Sequence, residues 1–245
     1  MMECVNKAII MAAGIGKRMH PLTLTTPKPL IRVNGVRMID TVIRGVLHNG
    51  IREIYVVVGY HKEQFMSLER EYSGLKLIEN PFYAVSNNIS SLYMAREYLE
   101  NAMILDGDQM IYNEAVLAPQ FERSGYNAVW TEEPTDEWLM TVEQGLVTGC
   151  SRLGGSRGWQ LYSISRWNEE DGRKLRRHLE TEFKRKRHRQ IYWDDVAMFC
   201  YPQEYQLGIY EMKKDDVTEI DSLCELVEID NSYLKYMSMT GEIRL

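Results

Sequence analysis

The sequence predicts an α/β protein built on a mostly parallel sheet flanked by helices. Three observations carry this. Apolar runs at residues 8–13, 53–58 and 102–105 read as strands buried on both faces. A helix-period segment, Met38–His48, lies between the first two. The alternation then continues as βαβαβ, which implies parallel strands joined by right-handed crossovers.

Taken in order, the first run carries Ile9, Ile10 and Met11 and ends in Gly14-Ile15-Gly16, followed by Lys17 and Arg18. Glycines there let the backbone approach a ligand, and loop N–H groups beside two cations favour an anion such as a triphosphate. A polar turn leads to Pro27-Lys28-Pro29. Residues 31–33 read as a short strand and Asn34-Gly35 as a turn. The Met38–His48 helix has Ile39, Val42, Ile43, Val46 and Leu47 on one face, and Asn49-Gly50 ends it. Strand 53–58 ends at Gly59-Tyr60; residues 61–72 read as a helix and 76–79 as a third strand.

The polar stretch 80–91 carries Asn87-Asn88 and Ser90-Ser91, residue types that suit a helix N-cap or contacts to a base or ribose. A helix over 91–99 follows. Strand 102–105 runs straight into Asp106-Gly107-Asp108. Carboxylates at i and i+2 off a strand end reach the same side, and hard oxygen ligands of this kind suit Mg²⁺ held on substrate phosphates. Ligands in such sheets sit at the carboxyl ends of the strands, where the Gly14 loop also lies.

Residues 127–131 and 140–142 read as strands around an acidic loop that closes on Asp136-Glu137-Trp138. The Gly- and Ser-rich stretch 145–158 reads as loops of a small β-rich insertion, and 159–164 as a strand. Residues 168–189 read as a charged helix ending in a basic cluster, 184–189, which is read as a solvated face rather than a nucleic-acid patch. Tyr192-Trp193-Asp194-Asp195 combines aromatics and carboxylates. Residues 208–212 and 217–220 read as strands, and Asp221-Ser222 as the cap of a last helix.

The composition narrows the function classes. With 245 residues, 44% apolar and 26% charged, the chain is an ordinary globular sequence. A net charge of −6 argues against a general nucleic-acid binder. No apolar run reaches the roughly 18–20 residues that span a bilayer, and no signal peptide is expected. Four widely spaced cysteines read as thiols of a reducing cytoplasm. The expected organisation is one domain over 1–236. Residues 237–245 form a tail, with a frayed end and a link to a further domain both open.

Three phosphate motifs compete for the first loop. The dinucleotide fingerprint wants a third glycine where Met19 stands. The Walker loop wants Gly where Met11 stands and Ser or Thr where Arg18 stands. What remains resembles the glycine-rich signature of nucleotidyltransferases: Ala12-Ala13-Gly14-x-Gly16-x-Arg18-Met19-x-Pro21-Leu22-Thr23, then Pro27-Lys28-x-Leu30.

Together with Val58-Gly59-Tyr60, Asn87-Asn88, Ser91-Leu92, Asp106-x-Asp108, Asp136-Glu137-Trp138, Tyr192-Trp193-Asp194 and Glu219-Ile220-Asp221-Ser222, the chain resembles the bacterial phosphocholine cytidylyltransferases over nearly its whole length. The resemblance implies a Rossmann-like mixed sheet and transfer of CMP from CTP to a phosphorylated amine, with release of pyrophosphate. It implies Asp108 and Asp194 as Mg²⁺ ligands, with Asp106 beside them at the nucleotide. It implies Lys28 at the α-phosphate, and Ala12, Ala13, Gly14, Gly16 and Arg18 at the β- and γ-phosphates. Asn88 and Ser91 would contact the nucleoside.

Glu137, Trp138, Tyr192 and Trp193 would take the acceptor's head group, because a quaternary ammonium is bound by aromatic faces and a nearby negative charge. Phosphocholine is the acceptor expected first. Asp136 adds negative charge that suits a primary ammonium, as in 2-aminoethylphosphonate or phosphoethanolamine. A sugar 1-phosphate acceptor, a non-catalytic nucleotide-binding module and a homodimer stay open.

Overall fold

The computed structural model describes residues 2–240. Nine strands form one mixed sheet: β1 (Lys7–Ala12), β2 (Glu53–Val58), β3 (Leu75–Glu79), β4 (Ala102–Asp106), β5 (Gly125–Thr131), β6 (Leu139–Glu143), β7 (Leu146–Ser151), β8 (Gly158–Trp167) and β9 (Gly208–Glu211). The path runs β7-β6-β8-β4-β1-β2-β3, with β5 on the other side of β8 and β9 beyond it. β4, β1, β2 and β3 are parallel, as the alternation of apolar runs predicts. The strands around β8 pair with it antiparallel.

Successive residues of β1 feed opposite layers, as strand geometry requires. Ala8, Ile10 and Ala12 pack with Ile39, Val42, Ile43 and Val46 of α1 (Met38–His48). Ile9 and Met11 pack with Ile89 and Leu92 of α2 (Ile89–Met94), and with Leu175 and Leu179 of α3 (Glu169–Leu179). A third cluster joins Met19 and Leu22, just after the glycine loop, to Ile220, Leu223 and Leu226, the last two on α4 (Leu223–Ile229). The segment after the glycine loop therefore has its own small core, closed by a helix from the far end of the chain.

Three expectations are corrected. The helix expected over 61–72 is only a 3-10 turn, Lys62–Phe65, and a single helical turn, Leu68–Glu71. Phe65 and Leu68 are its two fully buried apolar side chains, too few for a helical stripe, and Met66 is exposed. The loops expected over 145–158 contain β7, which makes a hairpin with β6 through Gln144-Gly145. Both turn residues have positive φ, 51° and 77°, the combination of a type I′ turn, but Gln is not the residue that usually announces one. The helix expected over 168–189 is α-helical to Leu179 and continues as a wider π turn to Arg185.

A last helix, Leu234–Thr240, crosses the expected boundary at 236; residues 241–245 of the expected tail lie outside the described residues. Among the described residues no helix is long and apolar enough to cross a membrane. None of the four cysteines forms a disulfide.

Candidate active site

β8 is long enough to have two partners on one side. Its C-terminal residues Ile164–Trp167 pair with β4, and Trp159 and Gln160 pair with β6. Between the two, Leu161 and Ser163 open on a cavity of about 680 Å³. The cavity lies where β1 and β4 end, at the carboxyl edge that parallel sheets offer to ligands.

The glycine loop forms one wall. Gly16 has φ +67°, which an L side chain rarely adopts, and a Cβ there would meet Thr23 Cγ2 at 3.1 Å and Lys28 Cβ at 3.2 Å. The Thr23 hydroxyl donates to the Gly16 carbonyl at 2.8 Å, tying the loop down beside Lys28. At Gly14 a Cβ would meet no protein atom within 4 Å, so the space beside that backbone is open.

Lys28 is 7% exposed. Its Nζ lies 2.6 Å from Asp108 Oδ2 and 2.7 Å from Asp221 Oδ1. Burial alone would depress the Lys28 ammonium, but Asp108 and Asp221 outweigh it and hold it above its ordinary value. Arg18 reaches the other oxygen of Asp221 at 3.0 Å. Burial works to raise the Asp221 carboxyl, and Lys28 and Arg18 together hold it below its usual range.

The same cavity gathers a second set of carboxyls, Asp106, Asp194 and Glu219. Burial pushes Asp194 up to about 7, and Asp195 and Glu219 add to it. Burial also lifts Asp106 and Glu219 well above the ordinary carboxyl range; Asp108 adds to the first, Asp106 and Asp108 to the second. Asp194 is 6% exposed and its Oδ1 has no hydrogen-bond partner among the described residues. Asp194, with Asp106 and Glu219 on the same cavity, offers hard carboxylate oxygens, one of them unpaired. That donor set fits Mg²⁺, which takes one or two carboxylates and completes its shell with phosphate oxygens and water. Among the described residues, no three His, Cys, Asp or Glu side chains form a cage that could hold a metal without such help.

Another side is aromatic. Trp138 meets Tyr192 and Phe199 edge-on, with ring centroids 5.6 Å apart in both pairs. Glu137 and Asp136 sit at the mouth. The loops that carry this side are stitched together across the cavity edge. Trp193 N–H donates to Asn88 Oδ1 at 2.9 Å, Asn87 N–H to the Arg189 carbonyl at 2.7 Å, and Ser86 Oγ to the same carbonyl at 2.7 Å.

Most of the residues expected from the sequence converge here: Ala12, Gly14, Gly16, Arg18, Lys28, Asn88, Asp106, Asp108, Glu137, Trp138, Tyr192 and Asp194 all line the one cavity. Ala13, Ser91 and Trp193 do not. Ala13 is buried, and its carbonyl accepts from Tyr60 N–H. Ser91 is 5% exposed, and its hydroxyl accepts from Asn80 Nδ2 at 3.0 Å. Trp193 is 1% exposed and packs against Tyr126 and Trp167 in the core.

Sequence reasoning missed Arg152, Ser163, Glu219 and Asp221 as lining residues. Glu219 and Asp221 repeat at a second strand end the i, i+2 carboxylate pattern of Asp106 and Asp108, a signal that was available. Arg152 stands in a Gly- and Ser-rich stretch with no pattern to mark it. The basic cluster is turned partly inward: Lys186 and His188 pair with Glu182, which is fully buried, and Arg189 lies over Phe82 and Phe183.

A parallel-sheet edge bearing a glycine loop, a buried lysine and facing carboxylates defines a phosphate-handling α/β site. Residues 7–123 match the family model of nucleotidyl transferases. The chain is 39% identical to the 2-aminoethylphosphonate cytidylyltransferase of Lancefieldella rimae over 94% of both chains. It is 31% identical to the choline-phosphate cytidylyltransferase of Streptococcus pneumoniae, over 89% of this chain and 93% of that one. The solved CTP:phosphocholine cytidylyltransferase from Streptococcus pneumoniae superposes with a TM-score of 0.84 at 30% identity, covering 92% of this chain and 98% of that one. The chain belongs to the nucleotidyltransferase family.

Proposed function

We propose that the protein transfers CMP from CTP to a small amine bearing a phosphate or phosphonate group and releases pyrophosphate. The observation that carries this is the convergence of Lys28, Asp108 and Asp194 on one cavity above the glycine loop. Phosphocholine and 2-aminoethylphosphonate are the acceptors to which the resemblance and the relatives' names point. A reaction that consumes CTP belongs in the cytoplasm.

The acceptor oxygen attacks the α-phosphorus in line with the leaving pyrophosphate. That oxygen is already anionic at neutral pH, so no strong general base is needed, and catalysis is positioning and charge neutralisation. Lys28, released from Asp108 and Asp221, meets the α-phosphate and the incoming oxygen. The backbone at Gly14 and Gly16, with Arg18, holds the outer phosphates. Asn88, whose side chain also anchors the Trp193 backbone, faces the nucleoside. Asp108 and Asp194, with Asp106 and Glu219 beside them, would hold Mg²⁺, which when bound offsets the charge of the triphosphate. Trp138, Tyr192 and Glu137 form the acceptor side.

Pyrophosphate release with CTP and Mg²⁺ tests the reading, with phosphocholine, 2-aminoethylphosphonate, phosphoethanolamine and glucose 1-phosphate run in parallel. Turnover with an amine, lost in Asp108→Ala, is the expected result. Activity on the sugar alone would move the chain to the sugar branch. Nucleotide binding with no turnover on any acceptor would favour a non-catalytic module.

A further inference from the structure

The aromatic corner of the cavity already contains a cation. The Arg152 guanidinium lies 3.8 Å from the Phe199 ring centroid and 5.8 Å from that of Trp138, and a terminal nitrogen reaches Asp195 Oδ1 at 2.5 Å. Asp195 is 3% exposed, and its other oxygen accepts from Tyr192 N–H at 2.8 Å. Arg152 therefore uses the aromatic faces and the buried carboxylate of this corner together.

Those are the groups that a quaternary ammonium needs. With no N–H to donate, it gains its affinity from ring faces and a desolvated negative charge. To bind here it must first displace Arg152 and leave the guanidinium without its partners. A primary ammonium has three donors and is not confined to the corner. Asp136 and Glu137 line the same cavity, and these acids can take its hydrogen bonds.

We propose that Arg152 is a specificity-determining residue: it fills the aromatic corner and turns the acceptor site towards a primary ammonium and away from a quaternary one. This rests on the cytidylyltransferase reading above and deepens it. Arg152 is 46% exposed at the rim of the cavity, so its side chain can be changed without opening the core.

The test compares kcat/KM for 2-aminoethylphosphonate and phosphocholine in the wild type, Arg152→Ala and the double variant Arg152→Ala/Asp195→Asn. The double variant removes the carboxylate that the single one leaves unpaired. In parallel, tetramethylammonium chloride is titrated against the tryptophan fluorescence of each form, with sodium chloride as the ionic-strength control. The wild type should prefer the primary amine. Arg152→Ala should shift the preference towards phosphocholine by at least ~10-fold and bind tetramethylammonium at least ~10-fold more tightly, the scale of one or two cation–π contacts. The double variant should lose most of that gain, because the negative charge is gone while the rings remain.

An equal loss of both acceptor activities with unchanged tetramethylammonium binding would overturn the proposal and make Arg152 a structural or phosphate-binding residue. A wild type that already prefers phosphocholine would overturn it as well. If no amine turns over, the cytidylyltransferase reading has failed; the tetramethylammonium titration still decides whether Arg152 fills the corner.

Discussion

Two sets of charged groups in the same cavity handle charge in opposite ways. On the glycine-loop wall, Lys28 and Arg18 are paired within the chain: Asp221 bridges them, and Asp108 takes the remaining face of Lys28. In a second set, Asp106, Asp194 and Glu219 form no ion pair among the described residues, and burial raises their affinity for protons. On the proposed reading, the first set is preformed and gives up its internal ion pairs to receive phosphates, and the second supplies carboxylates to the divalent cation.

The strongest way to break the comparison is to remove its central charge. Lys28→Ala should lower kcat/KM by ~10³-fold or more, since a preorganised cation at a reacting phosphate is usually worth several kcal/mol. Lys28→Arg should rescue little, because a planar guanidinium cannot replace a compact ammonium between Asp108 and Asp221. Steady-state kinetics with saturating CTP would check both. Near-normal turnover in Lys28→Ala would mean that the paired wall is structural.

Asp194→Asn probes the unpaired set and should separate activity from stability. Activity should fall by ~10²-fold or more as a metal ligand is lost. Stability should move the other way. The folded-state pKa of Asp194, about 7, is above its ordinary value of 3.8, so the folded protein binds a proton that the unfolded chain releases. Asp194 therefore becomes more destabilising as pH rises from about 4 to about 7. At pH 8 the ligand-free variant should be more stable than wild type by ~1–3 kcal/mol, or several degrees in Tm. Scanning calorimetry at pH 5 and pH 8 would show a smaller pH dependence in the variant. Asp221 has the opposite sign: its depressed pKa contributes stability above the ordinary carboxyl range, lost as pH falls through the folded value.

Asp221→Asn sharpens the comparison from the paired side. It leaves Lys28 one carboxylate and frees Arg18. If Asp221 competes with the triphosphate for these cations, KM for CTP should fall ~3–10-fold, while kcat also falls because Lys28 is less well held. An unchanged KM would show that the internal pairs impose no cost on binding.

The paired wall was far more legible in the sequence than the rest. Gly14, Gly16, Arg18 and Lys28 come from one contiguous stretch after a buried strand, and Asp108 from the end of another, so strand topology alone brings them together. Asp194 came from resemblance, and the fold carries it to the same cavity. Tyr192 and Trp193 show what periodicity could not resolve. They are adjacent, yet Tyr192 is 47% exposed at the cavity and Trp193 is 1% exposed in the core, because the chain there is neither strand nor regular helix. Arg152 was invisible because its partners come from two other segments, Trp138 from one and Asp195 and Phe199 from another, that only the tertiary fold assembles.

The smallest expected effect tests whether the paired wall depends on its own small core. Ser222 caps α4: its hydroxyl accepts from Glu225 N–H at 3.3 Å, and the Glu225 carboxylate accepts from Ser222 N–H at 2.9 Å, a closed capping box. The same carboxylate accepts from Asp221 N–H at 2.6 Å, so the cap also orients the residue that bridges Lys28 and Arg18. Ser222→Ala should cost about 1 kcal/mol of stability, the usual value of a lost N-cap. If the cap only holds the helix, catalysis will be unchanged at temperatures where the protein is folded. If it also sets Asp221, KM for CTP should shift by a small factor in the direction seen for Asp221→Asn, with kcat nearly constant. Kinetics well below the Tm of the variant separate the two outcomes. A KM shift would mean that α4 acts on the phosphate wall through the backbone of Asp221, making the chain's far end a working part of the site.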